Sequence, residues 1–339
     1  MTASTPEQPA PRLHTPLCDL LGIAHPIVLG GMSTGTSAEL VAAVSNAGGL
    51  GTLGVSGRSP AEIREQTARI RDLTAAPFGL NVLLFYQDAA TLDTALALRP
   101  AVMAFAWPAA DQALADVFAR AHEAGALVMH MVSRRPDAVR AAEAGADVIV
   151  AQGSEGGGHV GLMGTMALVP QVVTAVAPKP VLAAGGIADG RGVAAALALG
   201  AVGVLLGTRF LATHEAPLHP NFKQAIVASD GHDTDLSEIP DLISGRVWPG
   251  AFARTWRNAL IREWAGREWE VRQRRALIAA EVAKARAAGD ADRTPLLFGQ
   301  DAGLIDAIEA AGDVVLRLVR EAHAVIAGRL APLVASSGL

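Results

Sequence analysis

The chain has 339 residues, 51% hydrophobic and only 4% aromatic, with a formal net charge of -5. That length suits one large α/β domain with a smaller addition, and the acidic balance argues against nonspecific nucleic-acid binding. Cys18 is the single cysteine, so internal disulfides are excluded and a reducing, cytoplasmic setting is expected.

Residues 1–12 are polar and proline-containing, without a basic lead into an apolar core. They read as a flexible N-terminus, not a signal peptide. Every apolar run falls short of the ~20 residues a spanning helix needs, so no membrane association is expected.

Strand and helix signals then alternate. Pro26–Leu29, Leu50–Leu53, Phe78–Leu84 and Ala101–Phe105 read as strands. Helical patterns follow them at Thr36–Ala47, Pro60–Leu73, Ala89–Leu98 and Asp111–Ala124. Ala126–Val132, Ala146–Val150, Val181–Ala184 and Val202–Leu206 continue the strands. Their helices are Pro136–Ala144, Met166–Val176, Gly190–Leu199 and a short one near Arg209–Thr213. The strands are continuously apolar, as expected where helices cover one face and a packed interior fills the other. Eight such units make a TIM (β/α)8 barrel.

After Thr213 the pattern changes. Asp230–Asp235 carries neither strand nor helix signal, Trp248–Gln273 is amphipathic and Arg274–Ala288 continues as helix. Pro295–Gln300 reads as a turn before a terminal helical region beginning at Leu304–Arg320. The expected organisation is a barrel at 14–213 with its packing segment at 295–335, and a mainly helical cap at 214–290.

The chemistry concentrates at strand ends. Ala151–Gly161, A-Q-G-S-E-G-G-G-H-V-G, gathers glycines around His159 after the sixth strand. Histidine titrates near neutrality and suits acid–base work. A metal role would need converging partners; His130 and Glu155 lack a diagnostic spacing, so no metal is expected. His130, near the end of the fifth strand, reads as a substrate-side or supporting group.

Ala184, Gly185 and Gly186 end the seventh strand, and Gly207 and Thr208 the eighth. Barrels commonly hold phosphate at these loops, which points to a phosphate-bearing cofactor. Gly30, Gly31 and Met32 at the first strand end offer backbone to a flat ring. Asn81 and Gln152 are polar groups at apolar strands that must find partners. Phe105 and Trp107 suit an apolar wall. Gly49–Gly54 fits G-x-G-x-x-G but runs from a helix end through a strand, the wrong context for dinucleotide binding. No G-x-S-x-G elbow or paired carboxylates appear.

Several segments carry a resemblance: P-I-V-L-G-G-M at Pro26–Met32, N-A-G-G-L-G at Asn46–Gly51, G-L-N-V at Gly79–Val82 and the His159 segment. A-A-G-G-I-A-D-G at Ala183–Gly190, G-T-R-F at Gly207–Phe210 and G-Q-D-A-G-L-I at Gly299–Ile305 complete it. From Leu17 to Ile305 the chain resembles the nitronate monooxygenase family, formerly 2-nitropropane dioxygenases. A close relative is the FMN-dependent enoyl-acyl-carrier-protein reductase. The resemblance implies non-covalent FMN, with phosphate near Gly186 and Gly207–Thr208. Met32, Asn81, Gln152, Gly157, Gly158, Gly185, Gln300 and Gly303 would surround it. It assigns His159 as the base for neutral nitroalkanes, with nitronate, nitroalkane and O2 as small-molecule partners, and leaves a homodimer open.

Two departures stand out. Gly156 replaces the usual alanine, which suggests a looser loop, and Val160 replaces the arginine that often follows the histidine. An NAD(P)H-dependent FMN enoyl-thioester reductase, or a related flavin oxidoreductase of a specialised pathway, is one alternative. A nonenzymatic flavin-binding protein using Trp248–Trp269 for a partner is another.

Overall fold

The computed structural model describes residues 12–86 and 88–334. Of the expected flexible lead, residues 1–11 lie outside it. In chain order the first half runs α1 (Pro16–Leu21), β1 (Ile27–Leu29), α2 (Ala38–Asn46), β2 (Gly51–Gly54), α3 (Pro60–Leu73), β3 (Phe78–Leu83), α4 (Ala89–Ala97), β4 (Val102–Ala106), α5 (Leu114–Glu123), β5 (Leu127–Val132) and α6 (Arg135–Glu143). Then come β6 (Val148–Gln152), β7 (Gly158–Val160), α7 (Thr165–Val176), β8 (Val181–Ala184), α8 (Gly190–Ala198), β9 (Gly203–Leu206) and α9 (Thr208–Leu211). The remainder is α10 (Pro220–Ala228), β10 (Thr234–Ser237), α11 (Ile239–Ser244), β11 (Phe252–Trp256), α12 (Ala259–Trp264), α13 (Glu268–Ala287) and α14 (Ala311–Val325).

Eight strands pair in parallel in the order β1-β9-β8-β6-β5-β4-β3-β2. A parallel bridge between Val28 and Leu50 joins the two ends into a ring. The Leu29 N–H donates to Leu50 and the Leu50 N–H to Ile27, both at 2.9 Å. This is the TIM barrel that the alternating pattern indicates. Alternate residues explain the apolar strands. Val102, Ala104, Met129, Val148 and Val150 fill the interior, while Met103, Phe105, Val128 and Ile149 pack outward against helices. Leu17, Cys18 and Leu21 of α1 join the interior cluster from the N-terminal side, and Cys18 is buried there.

Local signals set the helix starts. In α3, Pro60 occupies the first turn and Ser59 with Glu62 forms a reciprocal capping box, so the expected Pro60–Leu73 span is the observed one. The helix after β9 is only four residues long. Its place on the outer ring is taken by α14, which packs on both α8 and α2. Gly190 admits it closely, since a Cβ there would lie 2.3 Å from the Ala322 nitrogen.

The intervening segment adds two strands to the helices expected there. Thr234–Ser237 and Phe252–Trp256 are strands, joined with β7 in an antiparallel sheet of order β10-β11-β7. Both strands fall in stretches without clean period-2 alternation, which hid them. Behind this sheet, α11, α12 and α13 enclose their own core around Ile239, Ile243, Leu260, Trp264 and Val271.

Asn258 fastens this layer. It is fully buried. Its Oδ1 caps α12 by accepting from the Ile261 N–H at 3.1 Å. Its Nδ2 donates to the carbonyls of Ala291 at 2.7 Å and Thr294 at 2.8 Å. Asn258→Ala is expected to cost about 2–4 kcal/mol by losing the cap and stranding two carbonyls, measured as a lower urea midpoint.

Candidate active site

A cavity of about 740 Å³ opens at the C-terminal ends of the barrel strands. Of the residues singled out in the sequence, it gathers Gly30, Gly31, Met32, Asn81, Gln152, Gly157, Gly158, His159, Ala184, Gly185, Gly207 and Thr208. Trp107 also lines it. Phe105 borders it, but its ring stacks on Phe118 in the outer core.

Four selected residues lie elsewhere. Gly186 is outside the lining, beside the Glu155 side chain. Gln300 is exposed, and its N–H donates to the Glu155 carbonyl at 2.9 Å. Gly303 packs on the backbone of Asp230. His130 borders a separate cavity of about 280 Å³ with Arg134, Asp137 and Arg140. Its ring lies 5.4 Å from Phe118, and burial lowers its pKa to about 4. It is therefore neutral at working pH, and its position places it behind the barrel wall.

The cavity floor carries polar groups awaiting partners. Gln152 Oε1 and Thr52 Oγ1 are buried and have none among the described residues. Asn81 Nδ2 donates to the Ala104 carbonyl at 3.3 Å. Gly31 lies so close to Asn81 that a Cβ would sit 2.2 Å from the asparagine Cβ. A flat heterocycle with donor and acceptor edges fits this floor, since the stranded oxygens match its polar edge; glycine at 31 is what lets the Asn81 side chain stand there. Thr52 was missed in the sequence because it sits within an apolar strand; its one trace is a lone polar residue at an inward register.

The glycine-rich segment is not a loose loop. Gly153 leaves no space, with Thr165 Oγ1 at 2.0 Å from a notional Cβ, and Gly157 meets the Phe298 backbone at 2.5 Å. At Gly156 a Cβ would lie 3.3 Å from Gly185 Cα and 3.4 Å from the Gly153 carbonyl, so glycine there relieves crowding. The Glu155 carboxylate accepts from the Thr165 N–H at 2.9 Å and hydroxyl at 3.0 Å. Buried Arg254 of β11 donates to the Ser154 carbonyl at 2.7 Å.

His159 lies on β7, not in a loop, and pairs in register with Ala253 of β11. Its Nε2 is 2.8 Å from Oδ1 of Asp241 on α11. Trp248 stacks on the imidazole with ring centroids 3.2 Å apart and planes 8° from parallel. Trp248 also approaches Phe85 at 4.6 Å and Trp107 at 6.0 Å. Neither Asp241 nor Trp248 was picked out as a site residue in the sequence, since nothing local marks a side chain that acts across 82 positions, as Asp241 does. Trp264 is buried in the cap core and Trp269 is exposed, so Trp248–Trp269 forms no single exposed face.

The cavity extends past the barrel. Leu218, Phe222 and Ile226 form one wall of this arm; Ala279, Val282, Ala283 and Arg286, spaced along one face of α13, form another. Arg246 also borders the cavity and donates to the Tyr86 hydroxyl at 2.7 Å. No group of three or more potential metal-binding side chains occurs among the described residues. No helix among them is long and apolar enough to cross a membrane.

Asp301 lies in the lining near Thr208. Burial pushes its carboxyl up to about 7, while hydrogen bonding, including that from Thr208, and the Arg209 charge pull it back. A raised folded-state pKa makes its contribution to stability full at low pH and lost as pH rises towards 7. Asp301→Asn removes this penalty, so its urea midpoint should gain on wild type between pH 5 and pH 8; an equal difference at both values would contradict the buried-acid assignment.

The family model for nitronate monooxygenase matches residues 14–104 and 90–321. The chain is 39% identical over 238 residues to the (3aS,4S,5R,7aS)-5-hydroxy-7a-methyl-1-oxo-octahydro-1H-indene-4-carboxyl-CoA dehydrogenase of Mycobacterium tuberculosis, covering 70% of this chain. The match spans 66% of that relative's length, just under two thirds. FabK from Thermotoga maritima superposes with a TM-score of 0.85 at 34% identity, covering 95% of this chain and all of that one. Nitroalkane oxidase from Streptomyces ansochromogenes gives 0.80 at 29% identity, covering 92% and 99%.

Proposed function

The chain belongs to the nitronate monooxygenase family of flavin-dependent oxidoreductases, and from that premise we propose that it binds FMN and oxidises nitronates and neutral nitroalkanes with O2, giving a carbonyl compound and nitrite. The observation that carries this reading is His159, held in the cavity lining by Asp241 and Trp248.

Gly30, Gly31, Met32, Thr52, Asn81 and Gln152 would hold the flavin ring. Gly185, Gly207 and Thr208 would take its phosphate, where backbone can approach without intervening side chains. When bound, the flavin supplies the electron acceptor and the route to O2. The protein's own part is the proton. With a neutral nitroalkane, the α C–H bond breaks, its electron pair stays with the substrate to give the nitronate, and the proton passes to His159. A preformed nitronate bypasses that step. The apolar arm admits a substrate with a bulky hydrocarbon group and excludes water from it.

The same arm supports a second reading, flavin-dependent redox chemistry on an acyl thioester. Its walls suit a large acyl group, and Arg246 and Arg286 place two cations on the lining for carrier phosphates. The indene-carboxyl-CoA named in the M. tuberculosis relative is a substrate of that bulk.

The purified flavoprotein, mixed anaerobically with alkyl nitronates and separately with acyl thioesters and NADH or NADPH, separates the two. Flavin reduction by nitronate followed by nitrite release in air supports the first. Bleaching by nicotinamide with no nitronate reaction moves the assignment to the second. His159→Asn should retain flavin and lower the ratio of neutral nitroalkane to preformed nitronate kcat by about 100-fold or more; an unchanged ratio would remove the base role. Ala283→Trp should fill the arm and raise KM for long-chain substrates well above that for short ones.

A further inference from the structure

We propose that Asp241 is a positioning residue for proton transfer, fixing which imidazole nitrogen of His159 is the base. This rests on His159 being the base. The Asp241 carboxylate accepts, so the His159 nitrogen 2.8 Å away must carry the hydrogen. That nitrogen is Nε2, which leaves Nδ1 with the lone pair. No hydrogen bond engages Nδ1 among the described residues. Trp248, stacked in near-parallel contact, fixes the ring plane.

Asp241 and Trp248 belong to one connection, the residues joining β10 to β11. Gly245 and Gly250 both take φ +72° within it, a backbone conformation that allows tight reversal. The strand that follows is the one hydrogen-bonded to His159's own strand. The carboxylate, the stacking ring and the base are thus anchored to a single sheet. Both side chains are largely buried, with 10% exposure at His159 and 13% at Asp241, so water competes poorly for this bond. The proton leaves the substrate carbon for Nδ1, and the Nε2–H bond to Asp241 persists while the ring becomes cationic. The carboxylate then faces a full positive charge.

Asp241→Asn keeps the shape but removes the obligatory acceptor, since its amide can donate to Nε2 and select the wrong tautomer. In the FMN-loaded enzyme, the ratio of neutral nitroalkane to preformed nitronate kcat should fall about 100-fold or more. Asp241→Glu should recover part of it. Nitrogen-15 NMR of the holoenzyme, with His159 assigned from the His159→Asn spectrum, should show Nε2–H in wild type and a shifted population in Asp241→Asn. An Nδ1–H tautomer in wild type, or an Asp241→Asn ratio equal to wild type, overturns the proposal. The NMR arm reads the tautomer whether or not His159 is the base. A failure of the base assignment therefore shows in the His159→Asn kinetics, and a failure of positioning shows in the spectrum.

Discussion

The antiparallel pairing of β7 with β11 is the constraint on which the site depends. β7 has only three residues and could not persist alone as a strand. Paired with β11, it takes its direction from a layer built by residues some hundred positions later. His159 then has a fixed height above the barrel mouth, and the chain entering β11 has to cross it. Asp241 and Trp248 meet the imidazole because they lie on that crossing segment. Arg254, opposite Gly158, reaches back to the Ser154 carbonyl and ties the start of the same loop to the same sheet.

Close backbone packing is the complementary device. Gly153, Gly157 and Gly299 each stand where a methyl group would overlap a neighbour, and all three surround Glu155 or the segment it anchors. A richly glycine-containing loop can be mobile or tightly compressed, and composition does not distinguish these. Here the overlaps that a Cβ would make at Gly153 and Gly157 mark compression, and the Glu155 carboxylate anchors the segment through three hydrogen bonds from Thr165.

The barrel was legible because its signals are local: apolar runs, helix caps and glycine-terminated helices recurring at βα spacing. Gln152, Gly207 and Thr208 stood out because they fall within two residues of those runs, and His159 because glycines gather around it. The β10–β11 layer was not legible, since Thr234–Ser237 and Phe252–Trp256 gain their identity from each other and from β7. Residues acting through long-range contact were missed for the same reason, Asp241 and Trp248 foremost. His130 shows the reverse case. Its place near a strand end suggested the pocket, but a single step of strand alternation turned it towards α5.

The position of α14 bears on how the protein is made. β9 ends at Leu206, yet the helix that covers its flank begins at Ala311. A nascent chain released up to β9 has all eight staves but an open seam between α8 and α2, exposing the apolar surface that Val314, Val315, Leu318 and Val319 later cover. Synthesis proceeds at a finite rate, and contacts of such wide separation form late. The whole cap must therefore emerge before the barrel is sealed. Site and scaffold mature together, and a chain truncated before α14 should be prone to aggregation rather than a minimal barrel.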